Sequence, residues 1–199
     1  MDDHLLHGTS NIDEFSRYIP LYQAAIRGDW ESAQSFFQKD EGAVSAIIKN
    51  YGETALHMAV CAGTSEGSIN FVKNLVDKMP QEALEIVNHL NRTALHLAAW
   101  VGNLEAVKLI CGKGVSSVYI RDELGFSPLD LAASNAMKDT LLYLLDVTQN
   151  DPFYTLFPDE EYAALLLIHV ITSGYYGEYL LEFTVAQHIH VLFTWNIRI

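Results

Sequence analysis

Apolar side chains in this chain come in short bursts at helical spacing, each closed by a small residue. Between Ala94 and Ala99 the positions Ala94, Leu95, Leu97, Ala98 and Ala99 are small and apolar. A second stripe follows at Leu104, Ala106, Val107, Leu109 and Ile110. Gly102 separates the two, and Gly112-Lys113-Gly114 closes the second. Recurrence at i, i+3 and i+4 marks one buried helix face, and glycine ends helices, so this segment predicts two short packed helices. Val118-Tyr119-Ile120 is expected to be brief and extended, and Arg121-Asp122-Glu123-Leu124-Gly125 to form a turn.

The pattern repeats. Thr54-Ala55-Leu56-His57 returns as Thr93-Ala94-Leu95-His96, each preceded by a turn residue, Gly52 or Asn91, and followed by Gly63 or Gly102. Aligned on the leucine, Leu21, Leu56, Leu95 and Leu129 each have a small residue seven positions on: Gly28, Gly63, Gly102 and Ala136. The leucines are 35, 39 and 34 residues apart. Such self-similarity predicts an array of supersecondary units, each lending its neighbour an interior, and not one enclosed globule. The long middle spacing is assigned to about four extra residues after Gly63, at Thr64-Ser65-Glu66-Gly67-Ser68, because loops tolerate added length.

The fourth copy, Ser127-Pro128-Leu129-Asp130-Leu131-Ala132-Ala133, places Pro128 at a helix start, where its missing N–H would be unpaired anyway. The first copy keeps Pro20 and Gly28 but has no histidine. A worn fifth copy is expected around Leu167, with Gly174 as its stop and Tyr179, Leu180 and Leu181 in its second helix. Asp151-Pro152 and Phe157 to Glu161 form the loop before it.

Composition narrows the function classes. Half the residues are hydrophobic, enough for ordered packing. The formal charge of −13, from 25 acidic against 12 basic residues, argues against nucleic acid as a partner. Cys61 and Cys111 occupy unequal repeat positions and form no CxxC, which reads as reduced, partly buried thiols in a cytosolic protein. The acidic opening Met1-Asp2-Asp3-His4 is no signal peptide, and the most apolar run, Tyr162 to Ile171, is too short to cross a bilayer. No cofactor is expected, because no nucleotide fingerprint, nucleophile elbow or triad order is present. Gly63 to Ser68 lacks the lysine of a phosphate loop, Asp159-Glu160-Glu161 reads as a solvated acidic turn, and His188-x-His190 lacks further metal ligands.

Thr54-Ala55-Leu56-His57 and Thr93-Ala94-Leu95-His96, with the partial copies at Pro20 and Pro128, resemble the ankyrin repeat signature T-P-L-H-x-A. The resemblance covers residues 18 to 147 well and 160 to 183 loosely. It implies an all-α solenoid of stacked helix-turn-helix units joined by short β-hairpin turns. The corresponding division is an acidic tail over 1–17, four repeats over 18–147, an acidic loop and degenerate fifth repeat over 148–183, and an atypical apolar tail over 184–199. The structural motif residues are then Thr54, Leu56, His57, Gly63, Thr93, Leu95, His96, Gly102, Pro128 and Leu129. Each threonine is expected to cap its helix, and each histidine to bond neighbouring loop backbone; metal binding by His57 or His96 lacks clustered ligands. Asn91 fills the turn slot of Gly52 and Gly125, while Asn88 and Asp122 suit the turn through side-chain hydrogen bonds.

Tyr18 to Trp30 and Asn91 to Ala99 more closely resemble plant ankyrin-repeat membrane proteins that carry a Pro-Gly-Gly-type domain and are associated with stress and defence signalling. That domain is absent from this sequence, and Gln187 to Ile199 resembles no part of the family. A truncated or alternatively spliced product of a membrane-anchored protein is therefore expected as the alternative origin. Repeat arrays present a concave surface of hairpin tips and first-helix ends. The candidate protein-binding residues there are Trp100, Tyr51, Arg92, Phe126, Glu53, Leu90, Arg27 and Asn135. Leu124, Ile26, Cys61, Ala62, Val101 and Ser134 occupy the same variable slots. Trp100 stands either as a contact hot spot or packed against the next repeat. The expected function is a non-enzymatic protein-interaction module in the cytoplasm. The alternatives are a component on the cytosolic face of the plasma membrane or an endomembrane, and a non-binding remnant with an open apolar end. The partner and oligomeric state are not legible.

Overall fold

The computed structural model describes residues 15–114, 116–149 and 168. Four helix pairs follow one another: α1 (Ile19–Arg27) with α2 (Trp30–Phe37), α3 (Ala55–Cys61) with α4 (Glu66–Lys78), α5 (Ala94–Val101) with α6 (Leu104–Lys113), and α7 (Pro128–Ser134) with α8 (Lys138–Gln149). First helices stack in the order α1, α3, α5, α7, and second helices in the order α2, α4, α6, α8. This is the expected all-α solenoid. The fifth copy around Leu167 and Gly174, the tail over 184–199, Asp159 to Glu161 and His188-x-His190 lie outside the described residues.

The motif leucines explain the stacking. Leu21, Leu56, Leu95 and Leu129 are all buried, each flanked by buried alanines such as Ala25, Ala59, Ala98 and Ala132. Small neighbours let the first helices approach closely, and burying each leucine contributes about 2 kcal/mol. Phe71, Val72 and Leu75 of α4 and Val107 and Ile110 of α6 close the other layer. Trp30 meets Phe71 edge-on at 5.6 Å between ring centres, joining the first and second pairs.

Helix ends follow from backbone chemistry. Gly28 and Gly102 take left-handed angles, φ 68° and 71°, so the next amide reaches back: Asp29 N donates to Ala24 O and Asn103 N to Ala98 O, both at 2.9 Å. Ala136 adopts φ 59° in the equivalent place, and Met137 N donates to Ala132 O at 2.9 Å. That is a costlier conformation for a residue with a Cβ.

Two expectations need correction. The extra length of the second copy does not sit mainly in the turn: α4 has 13 residues where α6 has 10. A longer helix keeps its added backbone hydrogen-bonded, which a longer loop would not. Val118 is not extended but ends a 3-10 turn, Ser116–Val118, where it is buried.

The hairpin turns are reduced to their tips. Ile47 and Thr54 form an isolated antiparallel bridge, and Ile48 N donates to Glu53 O at 2.8 Å. The next two hairpins close by Asn88 N to Arg92 O, 2.9 Å, and Asp122 N to Phe126 O, 2.8 Å. Asn91 (φ 58°) matches Gly52 and Gly125 (φ 83° and 84°), as its turn slot predicted. Successive tips are tied together: His89 N donates to Tyr51 O and Glu123 N to Leu90 O, both at 2.9 Å.

Candidate protein-binding surface

The first helices of the second, third and fourth pairs are each fixed to their hairpin by a capping box, whereas α1 has no side-chain cap. Thr54 Oγ1 accepts from His57 N, and His57 Nδ1 receives the Thr54 amide at 3.2 Å. Because an amide N–H only donates, Nδ1 carries the lone pair and Nε2 the proton. Nε2 therefore donates to Arg92 O at 3.0 Å, in the next hairpin. His96 repeats the arrangement, with Thr93 N to Nδ1 at 3.1 Å and Nε2 donating to Phe126 O at 3.2 Å. Burial holds both imidazoles neutral by lowering their pKa from 6.5 to about 4. The expected loop-backbone bond is thus present at both histidines.

Several polar residues beyond the candidates legible in the sequence brace this frame. In the fourth pair Asp130 replaces the histidine, and its Oδ2 accepts from Ser127 N and Oγ, both at 2.8 Å. A carboxylate has no N–H to offer a following carbonyl, so the imidazole's forward bond is a chemistry Asp130 lacks. Buried Asn103 caps α6 by accepting from Ala106 N at 3.2 Å and donates to Val60 O at 2.9 Å and Gly63 O at 3.2 Å, one repeat back. Lys113 Nζ reaches carbonyls at the end of α4, Val76, Asp77 and Met79. A histidine-to-aspartate exchange at the motif position and an asparagine right after Gly102 were the visible signals.

On this frame the candidate residues divide into exposed and braced. Tyr51, Leu90 and Leu124 stand at the same register on three successive hairpin tips and are 67%, 50% and 73% exposed. Ile26, Cys61, Trp100 and Ser134 form a parallel row near the ends of the first helices, all exposed. Arg27 is also exposed, while Phe126 and Asn135 are half-buried. Trp100 lies against the next repeat without being enclosed by it. It is 44% exposed, yet its Nε1 donates to Asn135 Oδ1 at 3.0 Å in the next repeat.

Arg92 is a brace more than an open contact. Its Nε donates to Asp122 Oδ2 at 2.9 Å, and its guanidinium lies 5.7 Å from the Trp100 ring centre. Asp122 is buried and uses Oδ1 to accept from Leu124 N at 3.0 Å and Phe126 N at 2.9 Å. This carboxylate pulls Arg92 into the seam between the third and fourth repeats. Glu53 is half-buried, with Oε2 enclosed and unbonded. Cys61 is exposed at the surface, yet partial desolvation of its thiol, and after it the Glu53 charge, raise its pKa.

Among the described residues no cluster of three or more His, Cys, Asp or Glu could hold a metal, and no helix is long and apolar enough to cross a membrane. The two cysteines are free, Cys61 exposed and Cys111 buried.

Comparison with known proteins agrees with this architecture. Residues 64–152 match the family model described as ankyrin repeats, 3 copies. A probable 26S proteasome regulatory subunit, p28, of Saccharomyces cerevisiae is 30% identical over 139 residues, covering 68% of this chain and 58% of the yeast protein. A BTB/POZ domain-containing protein of Schizosaccharomyces pombe is 36% identical over 99 residues, covering 49% of this chain and 7% of its own length. Protein phosphatase 1 regulatory subunit 27 of Mus musculus is 37% identical over 65 residues, covering 33% of this chain and 42% of its own length. The chain thus spans about three-fifths or less of each of these relatives. With matched residues reaching from the second helix pair to the fourth, and helix pairs stacked in one array, residues 64–152 of this chain are ankyrin repeats.

Proposed function

We propose that this chain is a non-catalytic protein-interaction module whose contact surface is formed by the hairpin tips and the ends of the first helices. The observation that carries the reading is the apolar row at Tyr51, Leu90 and Leu124, repeated at one register on tied hairpins. Repetition of exposed apolar side chains on a rigid frame suits a partner that runs across the repeats. Trp100, Arg27, Phe126 and Asn135 border that row, while Glu53 and Arg92 shape its floor. Two of the relatives named above are regulatory subunits. That supports a role as a binding subunit attached to a larger protein.

A cytoplasmic setting follows from the same reading. A stress- or defence-signalling role, including derivation from a membrane-anchored protein, rests on the Tyr18 to Trp30 and Asn91 to Ala99 stretches. The test is affinity capture with the full chain, followed by binding of the captured protein to variants. Trp100→Ala and Tyr51→Ala, if they fold, should each weaken it by about 2 kcal/mol. Undiminished affinity in both variants would remove the surface from this location.

A further inference from the structure

Beside the first hairpin the surface deepens into an open cleft of about 370 Å³, walled by Phe15, Ile19, Tyr22, Gln23, Ile48 and Lys49. Its lining is mostly apolar, and Ile19 is 52% exposed, so the cleft presents hydrocarbon that no described residue covers. Lys49 is the one charged residue among its lining residues. The ammonium sits 4.5 Å from the Tyr22 ring centre, which holds it over the apolar wall. Lys49 and Tyr51 belong to the same hairpin, so the cleft is continuous with the row of tips.

The hairpins and first helices are balanced in charge, unlike the whole chain. Hairpins and first helices, residues 17–28, 47–62, 88–102 and 121–135, hold five basic residues (Arg17, Arg27, Lys49, Arg92 and Arg121) against four acidic ones (Glu53, Asp122, Glu123 and Asp130). The full sequence carries −13. Two of these acids pair with two of these bases, Asp122 with Arg92 at 2.9 Å and Asp130 with Arg121 at 3.9 Å, which leaves Arg17, Arg27 and Lys49 against Glu53 and Glu123. At the cleft itself the lining carries one charge, the positive charge of Lys49. Screening confines surface electrostatics to about 8 Å at physiological salt, so a docked segment responds to this local balance more than to the distant acidic surface.

We infer that this cleft anchors a segment of a partner protein in which a large apolar side chain has an aspartate or glutamate next to it. The apolar side chain fills the space between Ile19, Tyr22 and Ile48, and the carboxylate pairs with Lys49 at the mouth. From there the segment continues along Tyr51 and Leu90. This rests on the interaction reading above and adds the chemistry of what is recognised.

The experiment is selection of a random-peptide phage library on the full chain. Recovered peptides should pair an aromatic or branched aliphatic residue with an adjacent acid. A synthetic peptide of the recovered sequence should lose at least about tenfold in affinity to Lys49→Glu. Ile19→Asp should weaken it similarly. Both positions are at least partly exposed, and unchanged melting curves confirm that the variants fold. Recovery of basic peptides, no enrichment at all, or unchanged affinity for Lys49→Glu would overturn the assignment. So would capture that emerges only after residues 2–14 are removed, since the cleft would then belong to the chain's own amino-terminal segment. Loss with Trp100→Ala but not with Lys49→Glu would sink the cleft and leave the broader interaction surface standing.

Discussion

Acidification from pH 7 to pH 5 should weaken this fold substantially through two side chains, His57 and His96. Both are buried, both accept from a threonine amide at Nδ1, and both donate from Nε2 to the next hairpin. Burial would place the charge of a protonated ring where water is excluded, which is why each pKa falls from 6.5 to about 4, and protonating Nδ1 would also remove the acceptor of the threonine amide. Above pH 6.5 the imidazole is neutral in folded and unfolded chains alike, so nothing is lost. Between 6.5 and 4 the unfolded chain binds protons that the folded chain refuses, and stability drops as pH falls; below 4 the loss levels off. Linkage makes this about 2 kcal/mol per histidine at pH 5, or about 4 kcal/mol together. Against a typical total of about 5–15 kcal/mol, that is a large share. Urea unfolding followed by far-ultraviolet circular dichroism at pH 7, 6 and 5 reads it directly, as a falling midpoint at constant slope. His96→Gln should remove about half of the pH dependence in this window. A midpoint that is level from pH 7 to pH 5, or a His96→Gln chain with the full dependence, would refute the reasoning. Imidazole NMR signals of His57 or His96 titrating above pH 6 would do the same.

Other consequences are separable. Asn103→Ala leaves two carbonyls and an amide without their side-chain partner, and should cost about 2–3 kcal/mol by chemical denaturation. Gly28→Ala must fit a Cβ 2.6 Å from Ser68 N at φ 68°, against unyielding backbone, whereas the same change at Gly63 (φ 108°) meets nothing within 4 Å. Both carry conformational strain, so both variants should melt lower, with Gly28→Ala lower by at least about 1 kcal/mol more. Arg92→Ala strands the buried Asp122 carboxylate, and should destabilise the chain by about 3 kcal/mol, more than Trp100→Ala destabilises an exposed edge. Burial pushes the Cys111 thiol up to about 12, so in the native chain a disulfide reagent should label exposed Cys61 and reach Cys111 only on unfolding.

The chain's periodicity was enough to determine the repeat. A leucine with a small residue seven positions on, four times over, can bury its apolar stripe only by lying against a copy of itself. The left-handed turn slots were legible for the same local reason: Gly52, Asn91 and Gly125 need only their own backbone angles. Hydrogen-bonding chemistry placed His57 and His96 on neighbouring loops, because a buried imidazole has few other partners. What tertiary structure decided were relations between residues about thirty to forty positions apart. Arg92 occupies a variable slot in the sequence, yet Asp122 draws it into a seam, since a buried carboxylate requires its charge partner. Trp100 stands half in solvent because Asn135, in the next repeat, holds its indole N–H. The Lys49 cleft exists only where the first hairpin meets α1, and no spacing along the chain records the depth between two elements that meet in space.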